Sequence, residues 1–405
     1  MVGDDRRRQP EGYPGLEVGA LEARESKKTV RTFAAASFLN DLGSDMIYPV
    51  WPMFVTGVLG ADMGVLGFLD GLGDAIVSLS QAGSGYVSDR IRRRKVFVWL
   101  GYSFAALSRV GYAVSSAWQP VIPFRILDRA GKMRGAPRDA MIADASGPGN
   151  RGSNFGLLRA MDNLGAVCGI LLCLLLLRFL SLRTIFLIAA VPSVAGAILI
   201  LARIRESPSG NTKVYKGISF SDLDRNYWLF LVLSSIFALG SFSYSFLLIF
   251  AREAGFAMGT LPVLYLVFTA VASLVSLPFG RLADRSGRKP VLMLSFLLWG
   301  LVCLCLVLSR GAVAVVTAFV LYGLHKGALD PVQKTLVSEL APEAYRASSL
   351  GGFQLAVGLC ALPSSLLAGV LWETVGVPAP FYLAMGLTVL ATGLLQFVRE
   401  RPALR

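Results

Sequence analysis

A short charged string occurs twice in this chain, each time between two long apolar runs. The first copy is Gly85-Tyr86-Val87-Ser88-Asp89-Arg90-Ile91-Arg92-Arg93-Arg94-Lys95, and the second is Gly280-Arg281-Leu282-Ala283-Asp284-Arg285-Ser286-Gly287-Arg288-Lys289. The copies start 195 residues apart (280 − 85), close to half of the 405 residues. Such a string forms a tight, solvated turn between two membrane helices, and its recurrence implies a duplicated bundle. Other landmarks keep the offset: Met63-Gly64 falls on Met258-Gly259, Asp144 on Glu339, Arg151 on Arg346 and Gly156 on Gly351. The two halves therefore run in the same direction, and a two-fold axis along the membrane normal is expected.

Only 16% of the residues are charged and the mean hydropathy is +0.60, more apolar surface than a soluble domain of this size can hide. Apolar runs near 20 residues fall at 32–57, 64–84, 96–115, 121–143, 153–178 and 184–203, then at 227–251, 260–279, 291–309, 312–338, 348–372 and 380–398. The expected fold is an all-α membrane protein of twelve transmembrane helices in two six-helix pseudo-repeats. Residues 1–31 read as a disordered cytosolic tail, 32–203 as the N-terminal bundle, 204–226 as a cytosolic linker, 227–398 as the C-terminal bundle and 399–405 as a second cytosolic tail. The five cysteines all lie inside apolar spans and read as small packing residues.

The net charge of +13 invites a nucleic-acid partner, but the positions of the charges exclude one. The N-terminal tail, both charged strings, the linker and the C-terminus carry the excess, and the opposite loops hold little beyond Arg183, Arg252 and Arg310. That asymmetry orients both termini to the cytosol; a bacterial plasma (inner) membrane is the expected location.

These residues resemble the major facilitator superfamily, whose loop between helices 2 and 3 carries G-x-x-x-D-R-x-G-R-R/K and recurs between helices 8 and 9. Gly85, Asp89, Arg90, Arg93 and Arg94 match the first copy; Gly280, Asp284, Arg285, Gly287, Arg288 and Lys289 match the second. Arg92 stands where the family has glycine. A second family feature, an acid followed seven residues later by arginine, is present as Asp144…Arg151 and Glu339…Arg346. The resemblance implies a cytosolic gate in which Arg93 and Arg288 reach Asp144 and Glu339 when that side is closed. It also implies a central cavity lined by helices 1, 4, 7 and 10, and it is closest to the drug:proton antiporters, the multidrug efflux branch. The glycine-rich stretch Gly165-Ala166-Val167-Cys168-Gly169 lacks that branch's proline and reads, like Gly67…Gly71, as close helix packing.

Ionisable residues inside the spans cost at least about 2.5–3.5 kcal/mol each at mid-membrane, so they mark function. Helix 1 carries Asp41 and Asp45, and helix 2 carries Asp70 and Asp74, each pair four apart on one face. These four are the proton-coupling candidates. Helix 4 supplies Arg125, Asp128, Arg129 and Lys132, with either a cavity role or a structural Arg125–Asp128 pair. At the 195 offset Asp41 becomes Ile236, Asp45 Gly240, Asp70 Tyr265 and Asp74 Thr269, so charge chemistry resides in the first half. Tyr244, His325 and Gln354 are the second half's cavity candidates; a lone histidine is more often a packed, hydrogen-bonded residue than a relay. No nucleophile–base pair, nucleotide loop, cofactor motif or metal cluster is spaced for chemistry. The expectation is a monomeric secondary transporter in the lipid bilayer, moving a small organic solute by alternating access with protons as partner. Efflux leads, with uptake of an anionic metabolite or siderophore-like metal chelate as the alternative and a membrane enzyme or receptor as a remote one.

Overall fold

In a computed structural model the chain is a bundle of helices, described over residues 14–91, 93–146, 151–206, 223–341 and 346–400. Side chains of 14–24, Asp89, 151–152 and 346–348 lie outside the description. The first set of helices is α1 (Pro14–Asp45), α2 (Trp51–Met53, continued by a π turn to Val58), α3 (Met63–Ile91), α4 (Arg94–Val114), α5 (Val121–Ala130), α6 (Gly135–Asp144), α7 (Arg151–Leu176) and α8 (Leu182–Arg203). The second is α9 (Arg225–Leu239), α10 (Tyr244–Glu253), α11 (Leu261–Ser286), α12 (Arg288–Leu308), α13 (Ala312–Leu340), α14 (Arg346–Leu359), α15 (Ala361–Thr374) and α16 (Ala379–Leu395). Eight helical stretches among the described residues are long and apolar enough to cross a membrane.

One boundary differs from expectation. The tail over 14–31 is helical and runs without a break into the first span. Its composition explains this: Pro14 opens the helix at a position tolerant of a missing N–H, and Leu, Ala, Glu, Arg and Lys follow. Glu25 and Lys28 add an exposed pair one turn apart at 3.5 Å.

Several helices are broken at mid-height, at related places. The first span stops at Asp45 and resumes at Trp51 across a turn containing Pro49. The seventh stops at Leu239 and resumes at Tyr244, where the Ser243 hydroxyl accepts from Ser245 N. Position 45 falls on 240 at the 195 offset, so both first helices break at the same point. Pro363 has no N–H to offer the Leu359 carbonyl, and the chain divides there into α14 and α15. Breaks of this kind in membrane helices persist where the freed backbone lines a cavity or meets protein.

Within the first set α1 packs on α7 and α8, and α4 on α8; within the second α13 packs on α11 and α12, and α16 on α9 and α12. Gly165 and Gly169 of α7 lie against the Phe38 and Leu42 carbonyls of α1, an approach that a side chain would block. The broadest contact between the two sets is α3 against α15. A Cβ at Gly67 would collide with the Ser365 carbonyl oxygen, and one at Gly71 would lie 2.7 Å from the Ala361 oxygen.

Candidate functional site

The face that carries the linker, between α8 and α9, is here called the linker face; the other is the far face. A cavity of about 460 Å³ lies between α3 of the first set and α9, α13, α14 and α15 of the second. Its linker-side wall is formed by Gln81, Gln333, Lys334 and Gln354. Its far end is formed by Asp74, Ser241, Lys326 and Ala361. Phe237 and Phe353 give two aromatic walls. Lys326 reaches Asp330 one turn along α13 at 3.5 Å.

Just beyond the far end the two sets close on each other. Gly71 abuts Ala361 and Gly67 abuts Ser365. Asp70, 2% exposed, takes three donors there: Arg125 Nη2 at 2.7 Å, Trp51 Nε1 at 2.8 Å and, from the other set, the Ser243 hydroxyl at 2.7 Å. The Arg125 guanidinium also stacks over Trp51 at 4.2 Å. Three more bonds join the sets: Tyr265 hydroxyl to Asp45 at 3.4 Å, Tyr244 hydroxyl to the Tyr48 carbonyl at 3.2 Å, and Met63 N–H to Glu373 at 2.7 Å. The cavity thus opens toward the linker face and is sealed toward the far face.

The cavity is not lined as expected. Helices 7 and 10 contribute, but helix 2 and helix 11 replace helices 1 and 4. Arg125, Asp128 and Arg129 are buried behind α3 because each already has a partner: Arg125 has Asp70, while Arg129 has Asp128 at 3.7 Å and the Tyr48 ring at 5.0 Å. Lys132 is half-buried in the turn between α5 and α6 and does not line the cavity. The alternative of a structural Arg125–Asp128 pair gives way to Arg125–Asp70. Tyr244 seals the far end rather than facing the cavity. His325 is fully buried among Phe237, Trp299 and Tyr322, with Nδ1 at 2.9 Å from the Ser295 hydroxyl, so it belongs to the aromatic core. Gln354 does line the cavity, as does Asp74 among the acids. Asp41 receives Asn40 Nδ2 at 3.0 Å and stands 4.0 Å from Arg134; it makes no bond to Asp45.

At the linker face Arg288 meets Glu339 at 2.7 Å and Asp284 at 3.2 Å. In the first set the partner of Asp144 is Arg94, at 2.5 Å, and not Arg93, which is exposed. The reason is register. Helix α4 starts at Arg94 and α12 at Arg288, 194 residues apart (288 − 94), so the first loop carries one residue more than the second. Gly287, at φ +95°, turns the second loop without that residue. Both ion pairs lie within their own set and are formed while the cavity is open to this face, so they do not depend on its closure. Gly85 and Gly280 sit in the last turns of α3 and α11; Arg90 and Arg285 are exposed. Arg92 and the side chains of Asp89, Arg151 and Arg346 fall outside the described residues.

A further pair of acids escaped the sequence reading. Glu206 accepts the backbone N–H groups of Arg94 (2.7 Å) and Lys95 (3.1 Å), and Glu400 accepts that of Lys289. Each carboxylate caps the exposed N–H groups that open α4 and α12. The signal was present as the same 194-residue step (400 − 206).

Such a helical membrane protein, with broken helices framing a cavity closed on one side, has the form of a secondary transporter. The sequence matches the model of the Major Facilitator Superfamily over residues 33–272 and 229–405, and the chain belongs to that family. It is 36% identical over 360 residues to an uncharacterised MFS-type transporter of Methanocaldococcus jannaschii, covering 86% of this chain and 90% of that one. An uncharacterised protein of Mycobacterium bovis is 24% identical over 338 residues, or 79% of this chain and 81% of that one. Among solved structures, a variant of the nucleoside transporter NupG superposes with a TM-score of 0.78 at 14% identity, over 92% of this chain and all of that one. A bacterial homologue of the human lysosomal transporter Spinster, inward-facing and unoccupied, gives 0.71 at 14% identity, over 94% and 99%. A peptide transporter in complex with sulfate gives 0.72 at 15% identity, over 92% and 95%. The chain is therefore a membrane transporter of small solutes by alternating access, and not an enzyme.

Proposed function

We propose that this transporter takes up a small polar solute bearing a carboxylate or similar anionic group, through two six-span halves, 32–203 and 227–398, joined by the linker 204–226. The spans interrupted at Asp45 and at Ala130, together with α4 and α16, bring the eight long apolar stretches to a count of twelve. The observation that carries the substrate class is the cavity lining: three amides, a Lys326–Asp330 pair, Asp74, and Lys334, which has no ion-pair partner among the described residues. Between its two aromatic walls the polar groups of the lining, the amides and Lys334 above all, match a solute that accepts hydrogen bonds and carries negative charge. The fold neighbours named for nucleosides and peptides support a polar organic solute over a drug. With both termini cytosolic, the open side of the cavity faces the cytosol, the releasing side for uptake.

Protons are the coupling ion in this reading. Asp41 and Asp45 stand one turn apart at the mid-height break of helix 1, near enough for their charges to oppose each other, and Asp74 faces the cavity. Asp70 holds three donors across the joint and acts in gating instead.

The experiment is a melting-temperature screen of the purified protein with carboxylates, di- and tripeptides, nucleosides and lipophilic cations. A ligand at a hundred times its Kd stabilises by about 2.7 kcal/mol. Carboxylate-bearing solutes should stabilise the protein, and Lys334→Gln should abolish that effect. Stabilisation by lipophilic cations alone would return the reading to efflux. In proteoliposomes, Asp45→Asn should remove accumulation driven by a pH gradient and spare exchange at equal pH.

A further inference from the structure

Where α1 and α8 leave the apolar layer on the linker face they enclose a second cavity, of about 370 Å³. Lys27, Lys28, Arg31 and Thr32 of α1 and Arg203 of α8 form its polar wall; Ala35 and Leu199 form an apolar floor one turn deeper. Arg203 is the last residue of a 22-residue apolar helix, so the polar wall stands at headgroup height and the floor at the edge of the hydrocarbon. Lys27, Arg31 and Arg203 have no ion-pair partner among the described residues. Lys28 has only the exposed 3.5 Å contact with Glu25. Glu206, three residues beyond Arg203, is engaged at the start of α4 and, with Glu25, lines an adjoining cavity rather than this one.

The other half closes the same groove. Position 31 falls on Asn226 at the 195 offset, and Asn226 clamps the chain after α16: its Oδ1 accepts from Arg399 N at 2.9 Å and its Nδ2 donates to the Arg399 carbonyl at 2.5 Å. In the first half the clamp residue is an arginine, the groove is open, and four cations converge on it with no acid in its lining. Like charges so close repel unless an anion joins them. We infer that this pocket holds the phosphate headgroup of an anionic phospholipid from the linker-face leaflet, with its glycerol and upper acyl chain on Ala35 and Leu199. Basic pockets between membrane helices suit such headgroups, and the apolar floor distinguishes a lipid from a free phosphate.

The test titrates delipidated protein in neutral detergent with phosphatidylglycerol, with phosphatidylcholine and with inorganic phosphate, reading bound lipid by native mass spectrometry and stability by melting temperature. Phosphatidylglycerol should bind and raise the melting temperature, and phosphatidylcholine should do neither. Affinity should fall about fivefold for each charge removed, roughly a hundredfold in the triple variant Lys28→Gln/Arg31→Gln/Arg203→Gln. Arg31→Gln alone serves if the triple variant does not fold. Arg225→Gln removes an exposed charge on the same face outside the pocket and should leave affinity unchanged. An equal loss in Arg225→Gln would assign the binding to diffuse surface charge and overturn the site. Stabilisation by inorganic phosphate as great as by the lipid would also overturn it, in favour of a free anion.

Discussion

Asp70 gathers an arginine, an indole and a hydroxyl from three different elements, one of them in the opposite set of helices. A buried ion pair adds little net stability against a well-packed apolar alternative, but removing one partner strands the other. Asp70→Asn keeps the side chain's shape and leaves the Arg125 guanidinium without a countercharge, so it should destabilise the protein by about 3–5 kcal/mol. Ser243→Ala removes one hydroxyl bond to a carboxylate and should cost about 1.5–3 kcal/mol, while raising labelling of far-face cysteines. Melting temperatures of the two variants test the order; an unaltered value for Asp70→Asn would show that the ion pair contributes nothing. The sequence marks Asp70 and Arg125 plainly, since each is an expensive group in an apolar span. It does not mark their partnership, because nothing local distinguishes Asp70 from the nearer Asp128. Ser243 was invisible as a site residue, being one serine among several in an apolar run.

At the level of helices and loops, the 195-residue repeat read from the sequence corresponds closely to α3, which runs from 63 to 91, and its counterpart stretch from 258 to 286. The helix breaks were not legible. They arise from Pro49, Pro363 and Gly240, which in a membrane helix are common without a break and decide nothing alone. That Arg94 rather than Arg93 meets Asp144 in this open state was not legible for a related reason: the one-residue difference in loop length appears only once the starts of α4 and α12 are known. That difference makes a sharp test. Arg94→Ala should free Asp144, unsettle the α4–α6 corner and lower transport; Arg93→Ala, exposed at the same turn, should change stability by no more than about 0.5 kcal/mol. Cysteine labelling from the linker face, with transport assays, compares them. Equal effects from the two variants would mean that the loop acts only through its total charge.

Across the whole molecule the two sets meet in a reciprocal way. Asp45 at the break of the first helix takes the hydroxyl of Tyr265, and Ser243 at the break of the seventh gives its hydroxyl to Asp70. Positions 70 and 265 are equivalent at the 195 offset, so each set offers its broken helix to the other's second helix. Every ion pair among the described residues nevertheless stays within one set: Lys28 with Glu25, Arg94 with Asp144, Arg125 with Asp70, Arg129 with Asp128, Arg134 with Asp41, Arg138 with Asp139 and Asp162, Arg159 with Asp162, Arg288 with Asp284 and Glu339, Lys326 with Asp330. The bonds that cross the joint each have an uncharged donor, and the closest approach is glycine against carbonyl. Mobile ions in the buffer have little to screen there. Rocking between the two orientations should therefore proceed at the same rate at low and high ionic strength, while attraction of an anionic solute to Lys334 weakens within a Debye length that shrinks from about 30 Å at 0.01 M to 10 Å at 0.1 M. For the proposed uptake of an anionic solute, salt should raise KM and leave the maximal rate of transport untouched.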